Sequence, residues 1–174
     1  GSEEGLETLL GYQLFSIGNR ADSAALVYQV DYVLDGYVKK AGTNFVLSVG
    51  RLIGSQPELK GEQRLRKEDI YWEMPRCYQW DITVNLPEGY RISPEGLERL
   101  NAKVENDCGA FIVQATTEDG TLRIKAEKHI NHKTEPVANW EKLLEITDAA
   151  NSYEALSIVF QATINPPTSP TTGY

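Results

Sequence analysis

The sequence predicts a mainly β protein, an antiparallel β-sandwich with a C-terminal α-helix packed on it and a short N-terminal helix. Three observations carry that prediction. Apolar and polar residues alternate in at least seven short runs, the period of a half-buried strand. Gly, Pro, Asn and Asp separate the runs at hairpin-like spacing. One late segment changes to a helical period.

In chain order, Leu6, Leu9 and Leu10 follow the i, i+3, i+4 spacing of a helical face, and Gly11 is a stop signal; this is the predicted N-terminal helix. From Ala25 to Asp35 the period becomes two, with Leu26, Tyr28, Val30, Tyr32 and Leu34 on one side. Phe45, Leu47 and Val49 repeat the pattern. The stretch GRLIGSQPELKGEQRLRKED, residues 50–69, has no sustained period and reads as a long connection open to a functional role. Tyr78, Trp80, Ile82, Val84 and Leu86 then alternate with Gln79, Asp81, Thr83 and Asn85, as expected of a sheet with one wet face.

That strand breaks at LPEGY, residues 86–90, where Pro87 lacks a ladder donor and Gly89 permits a redirected backbone. The break is expected to be a corner of the sandwich. Leu100, Ala102 and Val104 give the next strand, placed at 98–107. Phe111, Val113 and Ala115 precede Asp119-Gly120, a hairpin signal, and Leu122, Ile124 and Ala126 follow it. Asn139 is the expected N-cap of a helix carrying Trp140, Leu143, Leu144 and Ile146, with Glu141 suited to its positive N-terminal end. Leu156, Ile158 and Phe160 form the last strand. The domain is expected to span 25–164, with a subdivision inside 55–75 as the alternative. Residues 1–24 are read as a linker with a short helix, and 165–174 as a flexible tail.

A chain of 174 residues can bury a core without metals. Its net charge of −8 disfavours nucleic acid and anionic lipid as partners. No window approaches the ~20 apolar residues of a membrane helix. The sequence lacks a phosphate-binding loop, a dinucleotide fingerprint and a Ser nucleophile elbow, so no cofactor and no catalytic residue is assigned. His129 and His132 could recruit Glu135 to a metal, but in extended chain residues three apart point to opposite faces, so exposed histidines are expected and no metal site.

Cys77 and Cys108 lie in no local nucleophile motif and are too few for a structural zinc site. If the strands at 78–86 and 98–107 pair around a turn between residues 92 and 93, the two cysteines face one another as a candidate disulfide in an oxidising compartment. The alternative is two free thiols. Trp80 and Trp140 fall on apolar rows and are expected in the core, whereas Tyr71 and Trp72 stand outside any period and mark a candidate recognition surface.

Several segments together carry a resemblance: DYVLDGYVKKAGTNFVLSVGRLIGSQPEL, RKEDIYWEMPRCYQWDITVNLPEGY, LNAKVENDCGAF and NWEKLLEITDAANSYEALSIVF. Over about residues 25–162 they resemble the C-terminal β domain of unknown function that follows a transglutaminase-like domain in exported bacterial proteins. The resemblance implies a noncatalytic accessory or structural domain, a periplasmic, secreted or cell-surface location, and the preceding transglutaminase-like domain as partner. The Cys, His and Asp of that neighbouring catalytic domain have no counterparts here, since neither Cys77 nor Cys108 matches its motif. A glycan- or peptide-binding module is the rival expectation.

Overall fold

The computed structural model describes residues 6–19, 24–72 and 76–163. It divides into two compact units, 1–38 and 39–174. The expected tail at 165–174 lies outside the described residues.

In the first unit, β1 (Leu6–Asn19) and β2 (Ala24–Leu34) form an antiparallel hairpin. The expected N-terminal helix is therefore corrected to a strand. The reason is in the pairing: the register shifts between Leu6 and Thr8, Leu9 and Gly11, and Leu14 and Ser16. Each shift leaves an extra residue on β1, and a bulged strand can reproduce the uneven apolar spacing that otherwise signals a helix.

The second unit contains two four-stranded antiparallel sheets. After β3 (Val38–Ala41), β4 (Asn44–Leu47), two 3-10 turns (Val49–Ile53 and Gly61–Arg64) and β5 (Ile70–Tyr71), the chain enters β6 (Arg76–Asn85) and β7 (Tyr90–Arg91). Helix α1 (Pro94–Glu98), β8 (Ala102–Asn106), β9 (Gly109–Glu118), β10 (Thr121–Ile130) and β11 (Thr134–Glu135) follow. Helix α2 (Trp140–Glu154) and β12 (Ile158–Ala162) close the fold. The sheet orders are β6-β10-β9-β8 and β3-β4-β12-β7, and β5 pairs with β11. The mainly β, antiparallel fold with a C-terminal helix on it is as the sequence predicts.

LPEGY carries the chain from one large sheet to the other. Leu86 N donates to Gly120 O at 2.8 Å, Gly89 has φ +79°, and Tyr90 N closes the turn on Pro87 O at 3.1 Å before Tyr90 pairs with Ala162. The strand expected at 98–107 begins only at Ala102, because residues 94–98 are helical. Ser93 Oγ accepts from Gly96 N at 3.0 Å, and Pro94 occupies the first turn. Ser-Pro is a local signal for such a start.

One face of the β6-β10-β9-β8 sheet supplies the core: Phe111, Val113, Leu122 and Ile124 are buried there, and α2 contacts β8 and β9 with Leu143, Ile146, Ala150 and Tyr153 buried. Phe111 and Tyr153 meet edge to face with centroids 5.7 Å apart. Gly50, in the first 3-10 turn, packs so closely on the end of α2 that a Cβ there would lie 1.9 Å from Tyr153 O. Only glycine fits that approach.

Candidate functional site

β6 is the edge strand of its sheet, and its row Tyr78, Trp80, Ile82 and Val84 runs past the cover that α2 gives the inner strands. Those residues are consequently half-buried or exposed, and a groove of about 460 Å³ opens beside them. Trp72, Tyr78 and Trp80 form its apolar wall, with Tyr78 and Trp80 near parallel at 18° and centroids 6.0 Å apart. Trp80 is thus corrected from the core to the wall of a groove, because an edge strand has no neighbour to bury its outer side.

Antiparallel pairing sets Lys128 opposite Tyr78 and Ile130 opposite Arg76, so both cations line the same groove. Lys128 Nζ donates to Gln56 Oε1 at 3.1 Å, and desolvation holds its pKa below the ordinary lysine range. The 50–69 connection supplies the rim through Ile53, Ser55, Gln56 and Pro57. It is pinned to α2 at both ends: Gln56 N donates to the Glu154 carboxylate, and Arg64 forms a bidentate pair with Asp148 at 2.8 and 2.7 Å. Trp140 Nε1 adds a bond to Arg64 O at 2.9 Å. Of the two residues expected to mark recognition, Trp72 lines the groove, half-buried. Tyr71 does not; it is exposed, with Lys133 Nζ 5.2 Å from its ring centroid.

The candidate disulfide is corrected: Cys77 is an exposed free thiol and Cys108 a buried one. Cys77 pairs with His129 on one side of β10. Cys108, in the turn between β8 and β9, accepts through its carbonyl from Asn131 N at 2.9 Å on the other side of that strand's end, so β10 lies between them. At about 4.8 Å per strand, the sheet holds the two positions too far apart to bond. The premise failed because β6 pairs with β10 rather than with β8.

Cys108 instead belongs to a polar cluster around Glu135, which is 2% exposed. Glu135 Oε1 lies 2.6 Å from His132 Nδ1, and Oε2 accepts from Asn139 Nδ2 at 2.8 Å. Burial works to raise the Glu135 pKa, but the bonds from Asn139 and His132, the His132 charge and the thiol together hold it below the usual glutamate value. Burial and the charges of Glu135 and Asp107 push the Cys108 thiol up to about 11. A fully buried, protonated thiol is a poor nucleophile. Asn139 stands at the N-cap position of α2, but its amide serves Glu135 and makes no cap bond. His129 turns away to Glu127, at 2.7 Å, so the three residues of the metal reading do not converge. Among the described residues no group of three His, Cys, Asp or Glu side chains could hold a metal ion.

Among the described residues no helix is long and apolar enough to cross a membrane. No curated protein and no solved structure matches the chain. A family model does match over residues 49–160, from the first 3-10 turn to β12, and so takes in the groove, the Glu135 cluster and α2. With nearly two thirds of its length covered, the chain belongs to the family described as "Domain of Unknown Function with solved-structure structure (DUF3858)".

Proposed function

We propose that this domain is a noncatalytic accessory module of an exported, extracytoplasmic transglutaminase-like protein, packing against the preceding domain of the same chain. The observation that carries the proposal is the apolar surface of the β1–β2 hairpin. Leu10, Tyr12, Phe15, Leu26 and Tyr28 are all more than half exposed. Soluble proteins seldom leave so many large apolar side chains together in water, and such surfaces mark contacts with other protein. The resemblance of residues 25–162 to the β domain that follows a transglutaminase-like domain supplies the partner. The test compares the full-length protein with a version lacking this segment. Loss of thermal stability in the catalytic neighbour is expected; unchanged stability with lost substrate binding would overturn the accessory role.

The groove favours a second reading, a glycan- or peptide-binding module. Its size lies within the ~300–1,000 Å³ typical of ligand sites, and it combines an apolar wall with a few convergent polar groups.

A further inference from the structure

We propose that the groove between β6, β10 and α2 binds a carboxylate-bearing saccharide, with Lys128 and Arg76 meeting the carboxylate and Trp72, Tyr78 and Trp80 packing against the sugar. The inference rests on the binding-module reading and names its ligand. Its first support is a charge with no ion-pair partner among the described residues: Lys128 is half-buried, and its hydrogen bond goes to the neutral amide of Gln56. A desolvated ammonium without an anion is costly, and a ligand carboxylate accepting a charge-assisted bond would offset that cost. Arg76 lines the same groove, is exposed, and forms no ion pair with a described residue.

The carboxylates attached to the rim are already engaged, Glu154 by Gln56 N and Asp148 by Arg64. Neither is left over to neutralise Lys128. The net charge of −8 does not preclude an anion here, because charges farther than about 8 Å away are largely screened at physiological salt. The remaining lining suits a sugar. Trp72, Tyr78 and Trp80 line the groove with aromatic surface that suits the C–H faces of a sugar, and Ser55 and Thr147 offer hydroxyl partners.

Tetragalacturonate, its fully methyl-esterified form and tetraglutamate can be titrated into the 174-residue chain, with calorimetry and tryptophan fluorescence as readouts. The acid sugar is expected to bind and shift the fluorescence, with the ester about tenfold or more weaker, the factor set by one charge-assisted bond. Lys128→Gln and Arg76→Gln should each reduce affinity for the acid sugar by about the same factor and leave the ester unaffected. Arg76→Gln alters an exposed side chain, so its effect is not explained by misfolding; a thermal melt checks Lys128→Gln. Equal binding of acid and ester would overturn the carboxylate assignment while leaving a binding module. Binding of tetraglutamate alone would overturn the saccharide. No binding of any of the three would overturn both.

Discussion

Two antiparallel hairpins in this molecule make opposite use of similar apolar content. In β9–β10 the register is unbroken from Thr121 opposite Glu118 to Ile130 opposite Gly109, and Phe111, Leu122 and Ile124 are fully buried. In β1–β2 the register shifts three times, and Leu10, Phe15, Leu26 and Tyr28 stand more than half exposed. Strict alternation puts every apolar residue of a strand on one face, where a single covering layer buries them all. In β1–β2 the bulges keep apolar partners such as Tyr12 and Val30, and Leu14 and Tyr28, opposite one another on one face, but a two-stranded ribbon has no layer of its own to cover that face. Apolar content alone therefore does not identify a core strand.

The largest test of the difference is Phe111→Ala. It removes a fully buried ring that packs edge to face on Tyr153, and a loss of about 3–5 kcal/mol in urea denaturation is expected. A loss below about 1 kcal/mol would mean the β9–β10 face is not the core.

These hairpins also show what was legible in the sequence. β9–β10 was, because alternation and Asp119-Gly120 are both local; the two residues have φ +47° and +73°, as a two-residue type I′ hairpin turn demands. Helix α2 was legible for the same reason. β1 was not, since its bulges are a property of the pairing with β2. The groove was half legible: Trp72 stood out as an aromatic without a period, but Lys128 joins it only through the pairing of β10 with β6. Strand order is a non-local property, settled by which faces must be covered together. Sequential neighbours pair only roughly two-thirds of the time, which is why the proposed Cys77–Cys108 contact failed.

The next test concerns the Glu135 carboxylate, held in β11 just beyond the end of β10. Its folded pKa lies below the unfolded value of roughly 4.3, so its contribution is fully present above that value. It is lost as the pH falls through the folded pKa. In Glu135→Gln that part of the acid-side decline should vanish, and the melting temperature should fall less between pH 5 and pH 2 than in the parent. Parallel melting curves over that range would refute a role for this charge.

A smaller effect is expected at the tip of the regular hairpin. Gly120→Ala places a Cβ at φ +73°, although no other atom lies near it. The cost is therefore backbone strain alone, about 1 kcal/mol. A loss of several kcal/mol by urea denaturation would show that the turn carries contacts beyond its own conformation.

Phe15→Ala is the matched control for Phe111→Ala, the same truncation in the irregular hairpin. Phe15 is the extra residue in the register shift between Leu14 and Ser16 and is 56% exposed, so its ring gives up little burial when removed. The stability of the isolated chain should change by less than about 0.5 kcal/mol. If the hairpin packs on the preceding domain, the same substitution becomes a core truncation in the full-length protein. There it should lower the melting temperature that the isolated chain leaves unmoved. An equally small effect in both settings would remove the hairpin from the interface, and the explanation of its exposed side chains would then have to lie with another partner.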